Sequence, residues 1–286
     1  MLCGFDTRDI SAVEREVMDG FRTLFPGSDP SFIPRAFSLA KSAFEGRYPG
    51  YFPIDAVYHD LEHTLQGTLC LFRLLSGRAA AGTQPALTPR WHELTLLSIL
   101  FHDSGYLRTS EDRDGTGARF TQTHVARSEV FVKKVLGEAG YPPGEIQAMQ
   151  RMIRCTELNI EVGRIPFASE LERQLGFALA TADLLAQMAA DDYVDKLPAL
   201  FAELAESYQL EPASPKNSPR FTSVEDLKQK TSDFWTFYVL PKINKDFLGV
   251  YRYLNLPFPD GPNPFLVWIE ANVKQASSSR QPLHGN

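Results

Sequence analysis

Long apolar runs are missing from this chain of 286 residues. Stretches such as Leu94 to Phe101 fall far short of the roughly 20 residues that a membrane-spanning helix needs. The opening Met-Leu-Cys-Gly-Phe-Asp has no basic n-region and no apolar h-region, so no secretory signal is expected. Cysteine is scarce: Cys3, Cys70 and Cys155 show no paired spacing. This argues against a disulfide framework and fits reduced thiols in a cytoplasmic protein. Basic residues are not in excess, with 29 Lys and Arg against 35 Asp and Glu and a net charge of −6. No basic patch dominates, which speaks against nucleic acid as a partner. Strand-like alternation, internal repeats and low-complexity linkers are also missing.

What is present is helical periodicity at an ordinary globular composition, 43% hydrophobic and 22% charged. The expected architecture is a single all-α domain over 1–286, with a helical N-terminal part (1–50) and a frayed tail (276–286). Ser11 with Glu14 reads as a capping box opening a helix to about Phe25. Helices are expected over Pro30–Glu45 and over Asp55–Leu75, the latter closed by Gly77. Thr88-Pro89 has the N-cap and first-turn proline of a helix ending near Gly105. Further helical patterns cover 121–138, 143–157, 170–191, 193–208, 223–246 and 263–275. Ser169 with Glu172 and Thr222 with Glu225 look like two more capping boxes. Segment 209–221 reads as a proline-rich loop between helices. Segment 107–120, charged and glycine-containing, reads as a long loop of the sort that carries function.

The six histidines concentrate the chemistry. His59 and His63 in YHDLEH are four apart, so on a helix they share a face, with Val57, Leu61 and Leu65 packing elsewhere and Gly67 leaving space. The pair reads equally as hydrogen-bonded core histidines or as metal ligands. His102-Asp103 ends an apolar segment, SILFHD. Burying an imidazole and a carboxylate without partners is costly, and a metal ion resolves that cost. Asp183 stands inside LGFALATADLLAQMA with Gly176, Ala180 and Gln187 on its face. It reads either as an aspartate bonded to a neighbouring helix or as a ligand. Imidazole and carboxylate together suit Zn²⁺, Mn²⁺, Fe²⁺ or Mg²⁺. His92 lies more than two turns from His102, outside such a site, and His284 is a tail residue.

The order YHDLEH (58–63), FHDSG (101–105), TADLLAQM (181–188) resembles the HD-domain metal-dependent phosphohydrolases. Within them it is most similar to the class I cyclic nucleotide phosphodiesterases, and the likeness extends over about 55–245. It implies a compact helical bundle in which His63, His102, Asp103 and Asp183 hold one ion, Zn, Fe or Mn. Asp103 would bridge to a second, largely water-coordinated ion, Mg or Mn. A hydroxide shared by the two ions would attack phosphorus, with Asp103 in the catalytic set and His59 as the general acid that protonates the leaving oxygen. His124 would contact metal-bound water or phosphate, although Thr121 stands where that family has a glutamate.

The same resemblance implies a small-molecule partner, a 3′,5′-cyclic nucleotide or another phosphodiester, and neither nucleic acid nor membrane. Phe234 falls at the base-clamping position, and Thr231 replaces the purine-selecting glutamine, with Gln229 two residues out of register. Trp235, Phe237 and Tyr238 read mostly as core aromatics. Arg108 and Arg119, flanking the 107–120 loop, are candidate phosphate contacts. The alternative is an HD-type phosphomonoesterase or nucleotidohydrolase acting on non-cyclic nucleotides. A di-iron oxygenase resembling inositol oxygenase needs two more histidines between Asp103 and Asp183, where this chain has only His124 and carries Arg154-Cys155-Thr156 in the region of the other. An inactive binding module would be expected to lack ligands, yet all four are present. Oligomeric state is not readable from the sequence.

Overall fold

In a computed structural model, residues 1–2, 4–210 and 220–278 are described. They form an all-helical bundle of ten α-helices. These are α1 (Ile10–Leu24), α2 (Phe32–Phe44), α3 (Leu61–Ala80), α4 (Pro89–Phe101), α5 (His124–Glu138), α6 (Pro143–Arg154), α7 (Glu170–Ala189), α8 (Tyr193–Leu210), α9 (Val224–Asp233) and α10 (Pro264–Ser278). Among the described residues, extended pairing is limited to isolated bridges of Leu2 with Phe5 and with Ala190. No helix there is long and apolar enough to cross a membrane. Cys70 and Cys155 are both buried, while Cys3, His284 and the rest of 279–286 lie outside the described residues, as does 211–219 within the expected proline-rich loop.

Helices α3 and α7 pack along each other at the centre. Their burial explains their composition: α3 is buried on nearly every side from His63 to Leu75 and α7 from Leu175 to Ala182. A helix apolar all round has neighbours all round. One hydrophobic cluster runs from Leu2 through Leu69 and Leu179 to Ala276. Truncating a fully buried leucine such as Leu69 to alanine removes about 2–5 kcal/mol of stability. Two glycines set the approach of the surrounding layers. A Cβ on Gly77 would lie 1.8 Å from Tyr253 O, so this glycine admits the 250–254 turn against α3. A Cβ on Gly176 would lie 2.9 Å from Cys155 Sγ, which is where α6 crosses α7.

Local signals fixed most helix starts, with corrections at the ends. Thr88 caps α4 by accepting Trp91 N, and Ser169 caps α7 by accepting Glu172 N. α1 is capped by Asp9, which accepts Ser11 N, so the Ser11–Glu14 box is not used. α9 is capped by Ser223 accepting Asp226 N, one residue later than Thr222–Glu225. α3 starts at Leu61 and not near Asp55, because Asp60 accepts His63 N and caps it there. Gly77 does not close it, since the helix continues to Ala80. Beyond α9 the chain stays helical but widens into π turns over Phe234–Val239 and Lys242–Asp246, either side of Pro241. Proline supplies no N–H, so the ladder rearranges around it. α10 includes Ala276–Ser278, part of the expected tail.

Candidate metal centre

Four elements meet beside the α3–α7 pair. Capping by Asp60 puts His63 in the first turn of α3, buried. At the other entry α4 stops at Phe101, and the chain turns into a tight 3₁₀ segment, Ser104–Tyr106. That break sends two consecutive side chains, His102 and Asp103, toward one place, where continued helix would spread them by about 100°. Asp183 arrives from the middle of α7. His102 Nδ1 donates to Ile99 O at 2.7 Å, which leaves Nε2 to face the carboxylates.

The donor atoms converge closely. One ligand atom each from His63, His102 and Asp103 lie within 4.8 Å of one another. His63 Nε2 is 3.2 Å from Asp103 Oδ2 and 3.2 Å from Asp183 Oδ1. His102 Nε2 is 3.3 Å from each of the same two oxygens. Ligands around an ion with bonds of about 2.0–2.2 Å stand about 3 Å apart, so the spacing suits one cation at the centre. Asp103 Oδ2 is buried with no hydrogen-bond partner among the described residues. Such an oxygen is costly to leave alone, and a divalent ion held by these four residues would satisfy it.

Electrostatics point the same way. Burial works against charge on His63, but Asp103 and Asp183, each 3.2 Å from its Nε2, outweigh it and push its pKa up to about 10. His102 is likewise raised against its burial by the two aspartates. Burial opposes ionisation of both carboxylates, and the imidazoles nevertheless hold each below its ordinary range. The cluster therefore favours positive charge at its centre, which two protons or one metal ion can supply.

Around the cluster sit further groups. His59 is not on α3 but in the bend before it, which corrects the shared-helix-face expectation, although its ring still lies 5.3 Å from that of His63. Its Nδ1 lies 2.6 Å from Glu203 Oε2 of α8, and Glu203 Oε1 accepts Tyr58 N at 2.7 Å and His59 N at 3.3 Å. Burial opposes the Glu203 charge, yet His59 and these N–H donors keep its pKa low. The Tyr58 hydroxyl donates to Gln187 Oε1. His124 opens α5. Its Nδ1 donates to Thr121 O at 2.8 Å, and its Nε2 is 3.6 Å from Asp103 Oδ1. Burial holds the His124 imidazole below its usual pKa in spite of Asp103. His59, His124 and Asp183 keep 16%, 19% and 14% of their side chains exposed, while His63, His102 and Asp103 keep 5% or less, so solvent reaches the cluster past the first three.

The remaining sequence candidates are placed elsewhere or make other contacts. Arg108 holds Asp55, with Nε to Oδ2 at 2.8 Å, and Arg119 donates to Asp114 O. Thr231 is buried with its hydroxyl turned back to Leu227 O in its own helix. Phe234 stacks on Tyr238 at 5.1 Å and 11°. His92 is far from the cluster, enclosed by phenylalanines. Val57, expected to pack inward, is 61% exposed, and Gly67 faces Ile99 rather than the histidines.

Two residues of the site escaped the sequence reading. Glu203 carries the signal used for Asp183, an acid among Leu200, Phe201 and Leu204. Tyr106, four residues after His102, has no sequence signal. Its ring is nearly parallel to those of His59 (4.5 Å, 10°) and His124 (4.7 Å, 20°).

A family model described as Npun_R2479-like matches residues 50–257, a span that holds every residue of this cluster. No curated protein matches the chain.

Proposed function

We propose that the chain, which belongs to the Npun_R2479-like family, is a metal-dependent phosphohydrolase that acts on a phosphodiester such as a 3′,5′-cyclic nucleotide. One observation carries this reading. Two imidazole nitrogens and two carboxylate oxygens from three helical elements meet at 3.2–3.3 Å, and one of those oxygens, Asp103 Oδ2, is buried with no hydrogen bond among the described residues. His63, His102, Asp103 and Asp183 would hold one ion. Asp103, whose Oδ1 turns away toward His124, has an oxygen left to share with a second. When bound, divalent ions supply Lewis acidity and an acidified water near neutral pH.

The chain's own groups handle the proton. His59 is anchored through Nδ1 to Glu203 at 2.6 Å, which leaves Nε2 to deliver a proton to the leaving oxygen. Glu203, buried and held ionised, anchors that ring from the opposite nitrogen. His124, with Nε2 toward Asp103, is placed to meet a phosphoryl oxygen. The Phe234–Tyr238 stack offers an apolar face to a base. Thr231, bonded within its helix, leaves base recognition to that face.

A diester is favoured over a polyphosphate, because four basic side chains are already engaged elsewhere. Arg108 is on Asp55, Arg119 on Asp114 O, Arg127 on the carbonyls of Gly105 and Leu107, and Lys242 on Leu158 O. A singly charged phosphodiester asks less of them than a nucleoside triphosphate does. The test is a panel of 3′,5′-cyclic nucleotides, nucleoside mono- and triphosphates and bis(p-nitrophenyl) phosphate, each with Mn²⁺ or Mg²⁺. Hydrolysis of diesters supports the reading. Turnover confined to monoesters or triphosphates shifts it to the HD-type nucleotidohydrolase, and no turnover of any member rejects it.

A further inference from the structure

We infer that Tyr106 is a positioning residue, a planar ring that fixes His59 and His124 relative to each other across the candidate metal centre; the inference rests on the phosphohydrolase reading for its catalytic consequence. The three rings lie close to parallel, with centroids 4.5 Å apart for His59 and Tyr106, 4.7 Å for Tyr106 and His124, and 6.2 Å for the two imidazoles. His59 needs such support because it sits in a bend outside any helix and makes its hydrogen bonds to one residue, Glu203.

Tyr106 is unusually well anchored for a residue in a three-residue turn. A Cβ on Gly105 would lie 1.9 Å from His124 O, so the turn rests directly on the start of α5. Gly105 N donates to Ser128 Oγ at 2.8 Å, and Arg127 Nε donates to Gly105 O at 2.8 Å. On the other side, a Cβ on Gly117 would lie 2.2 Å from Tyr106 O. Both glycines lack the side chain that would push Tyr106 away. The backbone is thereby tied to the element that carries His124, and the ring carries that reference across to His59.

The hydroxyl does not do this work. Tyr106 is fully buried, and its Oη has no hydrogen-bond partner among the described residues. Thr121 lies near the phenol; its hydroxyl already donates to Ala118 O and could only accept from Tyr106, and the geometry forms no such bond. Packing alone therefore holds the ring, and a phenylalanine should hold it equally well.

The test compares Tyr106→Phe, Tyr106→Met and Tyr106→Leu, the last two removing the ring while keeping apolar volume. Bis(p-nitrophenyl) phosphate with Mn²⁺ is the probe. Met and Leu are expected to lower kcat about 10- to 100-fold, as a small misplacement of a proton donor does. KM should stay within about threefold and bound metal should not change, while Phe restores kcat to within about threefold of the parent. Unchanged kcat in Met and Leu overturns the inference, as does a loss in Phe equal to theirs, which would place the function on the hydroxyl. Histidine imidazole NMR resonances give a second reading that needs no turnover. Those of His59 and His124 should move in Met and Leu and hold in Phe. If the parent hydrolyses nothing but these resonances move, the phosphohydrolase reading falls and the positioning role stands. If they stay fixed, the positioning role falls.

Discussion

Helix α4 carries two buried histidines, and the contrast between them teaches how this fold makes a site. His102, at its end, has Nδ1 on Ile99 O and Nε2 against the carboxylates of Asp103 and Asp183. His92, about 15 Å earlier along the same helix, has neither ring nitrogen partnered among the described residues. Its ring is packed by Phe72 at 4.5 Å, Phe21 at 5.0 Å, Phe25 at 5.8 Å and Phe32 at 6.1 Å. Both are 1% exposed, so burial is not what separates them. The difference is what the neighbouring helices bring: α3 and α7 supply His63 and Asp183 to one, while α1, α2 and α3 supply phenylalanines to the other. The imidazole pKa follows, raised by carboxylates at His102 and lowered by burial to about 3 at His92.

The largest effects should fall at the His102 end. Asp183→Ala takes one of two carboxylates from the cluster. We expect it to purify without stoichiometric metal and without measurable turnover, read by elemental analysis alongside the diester assay. Retained metal would mean that Asp183 is a helix-packing aspartate. Next comes the proton relay. His59→Ala should keep its metal and lose about 10²- to 10⁴-fold in kcat, the usual worth of a general acid. Glu203→Gln, which keeps a hydrogen-bonding group beside that ring, should lose less. A normal rate for His59→Ala removes it from the chemistry.

At the His92 end the readout is stability. The folded state refuses a proton that the unfolded chain accepts near pH 6.5, so folded and unfolded imidazoles differ between about pH 6.5 and pH 3. In that window the unfolded state binds more protons. Stability is therefore present above pH 6.5 and is lost as pH falls, by up to about 1.4 kcal/mol per pH unit from this group. His92→Leu removes two unpaired nitrogens. It should gain about 1 kcal/mol at pH 7, flatten the acid slope in urea unfolding and leave turnover unchanged. An unchanged slope would show that His92 finds a partner or solvent. The smallest effect belongs to Arg108→Ala, which breaks a partly exposed pair with Asp55. It should cost up to about 1 kcal/mol and change kcat less than about threefold. A large rise in KM would return Arg108 to phosphate binding.

How much of this was legible follows the same contrast. Helix class and most helix positions came from periodicity and caps, because Thr88, Ser169 and Pro89 act on their own next few residues. His63, His102, Asp103 and Asp183 were legible as polar groups set in apolar helix. The starts of α1 and α3 were not, since Ser11 competes with Asp9 and Asp55 with Asp60, and only packing decides which is used. Glu203 and Tyr106 were hidden because their meaning lies in partners 144 and 47 residues away along the chain, His59 in each case. The phenylalanine enclosure of His92 was hidden for that reason too.

The most direct measurement is elemental analysis of the protein purified without chelator, paired with hydrolysis of bis(p-nitrophenyl) phosphate before and after metal removal and Mn²⁺ return. The account predicts bound divalent metal in the parent, its absence in Asp183→Ala, and activity that leaves and returns with the ion. A parent that holds no metal and stays inactive with added Mn²⁺ or Mg²⁺ would contradict it.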